Sequence, residues 1–153
     1  MAEIRGLSVR QPWAWAITYG GKTVDNRTRA ANFRGLLAIH ANKSLPRAED
    51  VNNPVILDAI ADRGFEIDEA ASRRGVIVAV AELAGCHRDE ETAVQRSGMP
   101  PCSPWAQRNR WHWVLSGVRP LPEPVPCRGA LGLWRLPEDV EEAVRAQLEV
   151  TPS

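Results

Sequence analysis

The residues best suited to chemistry in this chain lie close together near its start. Arg10, Lys22, Arg27, His40 and Lys43 offer donors that suit phosphates or the edge of a base. Trp13 and Trp15 offer indole faces for stacking, worth roughly 1–3 kcal/mol per base in single-strand binders. Two residues apart on a helix, the indoles point to different faces, so one is expected in the core and one near a cleft. Asp25 stands between Lys22 and Arg27. Its expected role is to orient them through an ion pair, because a carboxylate between two cations stays ionised; service as a base is the alternative. Lys22 can be a nucleophile or base only where burial or Arg27 lowers its pKa. For Lys22 and Arg27 the plain alternative is a solvated hairpin, for Arg10 an ion pair at the helix start, and for His40 a hydrogen-bonded core position. Trp105 and Trp111 are further candidates, since they flank a basic segment that carries Arg108 and Arg110, themselves candidate contacts.

These residues need elements to position them. Ile4–Val9 reads as a strand, and Gln11-Pro12-Trp13 opens a helix over Pro12–Tyr19, with proline early, where its missing N–H costs nothing. Gly20-Gly21 ends that helix, as glycine does by tolerating a left-handed backbone. Thr23–Arg29 is extended and Leu36–His40 is an apolar strand. Ser44–Arg74 is helical and acidic, with Asn53-Pro54 as cap and first turn, an apolar stripe of Val55, Ile56, Ala59 and Ile60, and Gly64 as its stop. Gly75–Ala84 is a continuous apolar run that suits a strand buried on both faces. Asp89–Arg96 reads as a short helix and Ser97–Pro104 as a loop. Arg110–Leu115 is a strand, whereas the proline-interrupted Val118–Val125 can be an edge segment at most. Ala130–Leu136 is the last strand, followed by an acidic surface helix from Pro137 to about Glu149. Strands from both ends with helices inserted between them indicate a mixed barrel rather than a doubly wound sheet.

At 153 residues the chain suits one domain spanning 1–153, with 137–153 as a helical tail. It opens on Met-Ala-Glu-Ile-Arg with no apolar region behind, and no apolar stretch reaches bilayer length, so a cytoplasmic protein without a membrane partner is expected. Cys86, Cys102 and Cys127 are widely spaced, which fits neither a disulfide framework nor a paired metal motif. A zinc site from Cys86, His87 and Cys102 would need ligands from distant segments, so no metal or other cofactor is expected. The net charge is zero but segregated. Residues 1–47 carry eight Lys or Arg against two acids, 48–96 five against eleven, 97–136 five against one, and 137–153 one against five. If the two basic blocks meet, they make a local positive face; the zero balance argues against a general polyanion binder.

Several ordered blocks resemble the ASCH domain family. They are Leu7-Ser8-Val9-Arg10-Gln11-Pro12-Trp13-Ala14-Trp15-Ala16-Ile17, then Gly20-Gly21-Lys22-Thr23-Val24-Asp25-Asn26-Arg27-Thr28, then Arg34-Gly35-Leu36-Leu37-Ala38-Ile39-His40-Ala41. His112-Trp113-Val114-Leu115 and Pro126-Cys127-Arg128-Gly129-Ala130-Leu131-Gly132-Leu133-Trp134 are similar to the closing strands. The resemblance implies an α+β, PUA-like fold: a mixed, partly open β-barrel with flanking helices and a basic cleft that binds nucleic acid, RNA ahead of DNA. The expected contacts are Arg10, Trp13, Trp15, Lys22, Asp25, Arg27, His40, Lys43, Arg108 and Arg110.

Three other readings stand beside this one. PUA-like relatives enclose a single base between aromatics, so a reader of modified or flipped bases in DNA is one, the cost of extrusion being a few kcal/mol. An enzyme is another, with Lys22 and Asp25 as its catalytic residues. The nucleoside amidohydrolase relatives resemble the chain around Lys22 but place a threonine where Asp25 stands, while a ribonuclease would use Lys22 and Tyr19 with His40 as acid or base. The third is a protein-interaction domain using the acidic C-terminal helix.

Overall fold

The computed structural model describes residues 3–88 and 103–150. The expected helix at 89–96 and most of the loop at 97–104 lie outside them. Six strands form one sheet: β1 (Ile4–Val9), β2 (Val24–Arg27), β3 (Gly35–Ala41), β4 (Val76–Arg88), β5 (Trp111–Pro126) and β6 (Leu133–Arg135). Their order is β2-β5-β4-β3-β1-β6. Among the described residues, β1 and β3 run parallel and the other pairs are antiparallel. The sheet curls into a half-barrel of the α+β class. Register shifts along β4 and β5 fit that curl, since each bulge sharpens local twist.

Both sheet faces are covered, which explains the unbroken apolar run in β4. Val78, Ala79, Ala81 and Leu83 join a core with Leu7, Val9, Leu37 and Ile39, completed by Ala14 and Ile17 of helix α1 (Trp13–Tyr19). Ile77 and Val80 join a second core with Ile4, Ala38 and Leu121, completed by Val140 and Val144 of the C-terminal helix. The acidic block folds into α2 (Ala48–Val51), α3 (Pro54–Asp62) and α4 (Ile67–Ala70), and α5 spans Glu138–Val150. Ile56, Ala59 and Ile60 of α3 pack on Trp15 and Ala16, the side of α1 turned away from the sheet. Asn53 caps α3 as expected, accepting from the Val55 and Ile56 amides at 2.9 and 3.3 Å.

Two local expectations change. The left-handed residue after α1 is Gly21 (φ 76°), whereas Gly20 (φ −94°) is required for space, because a Cβ there would sit 2.9 Å from the Ala16 backbone. Arg110–Leu115 and Val118–Val125 are also not separate pieces: β5 runs through both for 16 residues. The prolines at 120, 122, 124 and 126 remove N–H donors only where β5 has one strand neighbour, since β2 stops opposite Val114. On the other side of that half α5 takes over, with the Glu123 amide donating to Gln147 Oε1 at 3.0 Å and Arg119 Nη2 to the Leu148 carbonyl at 2.7 Å. Among the described residues no helix is long and apolar enough to cross a membrane.

Candidate functional site

Gly20-Gly21 turns the chain back beneath α1, where the Lys22 amide donates to the Ala16 carbonyl at 3.0 Å. That turn carries the Lys22 side chain inward rather than to solvent. Lys22 is only 3% exposed. Its ammonium donates to the Val24 carbonyl, lies 3.7 Å from Asp25 Oδ1, and sits 5.8 Å from the Trp13 ring centroid. Burial pushes its pKa below the ordinary lysine value, with Asp25 opposing the shift and Arg27 reinforcing it. Asp25, also buried, receives Arg27 Nε on Oδ2 at 2.5 Å. The carboxylate therefore bridges both cations, which is the expected orienting geometry.

From Arg27 the network continues across the sheet. Arg27 Nη2 lies 3.3 Å from the Ser8 carbonyl on β1, and its guanidinium stacks 5.6 Å from the Trp113 ring centroid. Ser8 faces His40 in the β1–β3 register, with Oγ 3.1 Å from Nδ1. His40 Nε2 lies 2.7 Å from the Cys127 carbonyl. A carbonyl only accepts, so that nitrogen carries the proton and Nδ1 presents its lone pair to the Ser8 hydroxyl. His40 is 2% exposed, and burial holds its pKa below the usual imidazole value, partly offset by the Cys127 carbonyl.

An open cleft of about 1470 Å³ lies over this network. Arg10, Arg27 and His40 line it, and Lys43, Arg47, Arg74 and Arg128 bring further cations to it. Among the described residues the first basic block therefore meets the second only through Arg128, and Arg74 joins them from a predominantly acidic block. Asp25 and Asp50 are the acids in its wall. Trp13 lines the cleft and also a side pocket of about 190 Å³, where Trp105 meets it edge-on at 6.4 Å, with Lys22 and Asp25 alongside. Asn26 holds the Trp105 segment in place, donating to the Trp105 carbonyl and accepting from the Gln107 amide, each at 2.9 Å.

Several expected contacts lie elsewhere. Trp15 is 5% exposed and packs edge-on against Phe65 in the third core cluster, so it is the core member of the indole pair. Arg108 and Arg110 are exposed and line neither the cleft nor the side pocket. Lys22 faces the side pocket and not the main cleft. Ser8, Arg47, Arg74 and Arg128 were not among the expected contacts, although Ser8 and Arg128 lie in the blocks that resemble the family and Arg128 also in the basic segment 97–136. Cys86 and Cys127 are half-buried free thiols, and among the described residues no group of three or more His, Cys, Asp or Glu side chains is placed to hold a metal.

The curled sheet and the cationic cleft define the class: an α+β half-barrel that presents a ligand-sized groove. The family model for the ASCH domain matches residues 7–122, and the chain belongs to that family. Among solved structures, the ASCH protein of Zymomonas mobilis superposes with a TM-score of 0.53 at 16% identity, covering 94% of each chain. A tyrosine-to-phenylalanine mutant of that protein gives 0.53 at 15% identity, covering 94% of this chain and 97% of the other. At that identity the likeness is one of fold. No curated protein matches the sequence.

Proposed function

We propose that this ASCH domain is a nucleic-acid-binding module that holds an RNA strand along the cleft. The observation carrying this reading is the convergence of Arg10, Arg27, Lys43, Arg47, Arg74 and Arg128 on one groove of a protein with zero net charge. Cations gathered this way neutralise phosphates and release their counterions, a term that supplies most non-specific affinity. The exposed heads of Lys43, Arg47 and Arg128 take backbone phosphates, while Trp13 offers a stacking face inside the groove.

The side pocket supports a second reading, the capture of one extruded base. Its volume of about 190 Å³ suits a single ring system, and Trp13 and Trp105 wall it with Lys22 and Asp25 as polar edges. Turnover by Lys22 has less support, because its ammonium is engaged by both Asp25 and the Val24 carbonyl.

Fluorescence anisotropy with single-stranded RNA, single-stranded DNA and modified or unmodified duplexes, each at several salt concentrations, tests these readings. RNA binding that weakens with salt and falls at least tenfold in the double variant Arg27→Ala, Arg128→Ala is the expected result. No binding at low salt, or binding indifferent to both changes, would sink the module reading. Equal binding of modified and unmodified duplexes would remove base capture.

A further inference from the structure

We infer that Ser8, His40 and the Cys127 carbonyl form a hydrolytic acyl-transfer site in the floor of the cleft, acting on a carboxylic ester carried by an anionic molecule. The anionic part of that substrate rests on the cleft reading above; the nucleophile does not.

Hydroxyl nucleophiles need a base within hydrogen-bond reach and a third group to orient that base. Here the Ser8 Oγ–His40 Nδ1 separation is 3.1 Å, and the Cys127 carbonyl holds Nε2 at 2.7 Å. With Nε2 protonated toward a carbonyl, the free lone pair of the neutral ring points at the Ser8 hydroxyl. A serine–histidine bridge between neighbouring strands can be purely structural, but the position of this one in the wall of the cleft separates it from such a bridge. Both residues line the cleft. The backbone of Gly129 also passes so close that a Cβ there would lie 2.4 Å from Ser8 Oγ and 2.7 Å from His40 Cε1. Only glycine fits there without displacing the pair. The Gly129 N–H donates to no described residue and is the donor assigned to an oxyanion formed beside Ser8.

The steps balance without a cofactor. Ser8 Oγ bonds to the acyl carbon, its proton passes to His40 Nδ1, and the carbonyl electron pair moves onto oxygen. Collapse breaks the carbon–oxygen bond of the ester, and the leaving alcohol takes the proton from His40. Water, deprotonated by His40, then attacks the acyl-serine ester, releases the carboxylic acid and returns a proton to Ser8.

The test uses the full chain and an alkyl fluorophosphonate, with peptide mass mapping of the adduct. Attack by Ser8 forms an oxygen–phosphorus bond and expels fluoride. Wild type should be phosphonylated at Ser8, Ser8→Ala should show no adduct in that peptide, and His40→Gln should react at least about 100-fold more slowly, the usual scale of general-base assistance. No adduct at Ser8, while a serine hydrolase treated in parallel is fully modified, would overturn the proposal, as would an unchanged rate in His40→Gln. If His40→Gln does not fold, the wild-type labelling rate decides. It should be level near neutrality and titrate downward below pH 6.5; a rate that does not titrate there counts against His40 as base. Oligonucleotide binding is a separate readout: its failure removes the polyanion as carrier of the ester, whereas failed labelling removes the nucleophile alone.

Discussion

At the scale of single residues, the burial of Lys22 organises the site. An ammonium out of water is tolerable only with a carboxylate in place, so Asp25→Asn should cost about 3–5 kcal/mol, the range for removing one partner of a buried ion pair. Urea denaturation would show it, and a loss below about 1 kcal/mol would mean that Lys22 sheds its proton or reorients to water. His40 gives a second prediction, in pH. Its folded pKa lies below 6.5, the reference value for the unfolded chain, so below that pH the unfolded state binds the extra proton. The contribution of His40 to stability is therefore complete above pH 6.5 and is lost as pH falls toward the lower folded value. The urea midpoint of wild type should drop across that window more steeply than that of His40→Gln. Lys22, Asp25, Arg27 and His40 were legible as site candidates from residue type together with the family resemblance. Which of them face solvent was not, because exposure depends on what packs over each side chain.

At the scale of elements, capping and strand length can be tested separately. Asn53 satisfies two N–H groups of α3, and α3 packs on α1 directly behind the site. Asn53→Ala should cost about 1 kcal/mol, read as a lowered thermal midpoint. Because Asn53 also lines the side pocket, any change in base preference should be scored against that stability loss. Helix α3 was readable because caps and apolar stripes are local signals. Strand β5 was only half readable: its prolines mark an edge, and they could not reveal that one strand passes from a doubly paired half to a half flanked by α5. That depends on where β2 ends, some ninety residues earlier in the chain.

At the scale of the whole molecule, the charge pattern becomes a field. The sequence separates cations into residues 1–47 and 97–136, and the sheet order brings part of both blocks to one groove. If the groove binds single strands, each phosphate contact contributes about 0.7 to the slope of log K against log salt. Arg128→Ala and Lys43→Ala should each lower that slope by roughly this amount, whereas Arg108→Ala and Arg110→Ala, outside the groove, should leave it nearly unchanged. A larger effect from the second pair than from the first would place the ligand on another face.

What the sequence determined by itself was local: the strands up to β4, helices α1 and α3, the Asn53 cap, the glycine turn that carries Lys22, and the segregation of charge. Each rests on periodicity or on neighbours within a few residues, where backbone geometry leaves little choice. Only the tertiary structure decided that Lys22 turns inward, that Arg74 leaves its acidic block to join the groove, and that Arg108 and Arg110 stay outside it. It alone joined Ser8 to His40, 32 residues apart, and His40 to Cys127, 87 residues apart. Those contacts are set by strand pairing and register, and register is a property of two strands together that neither segment encodes alone.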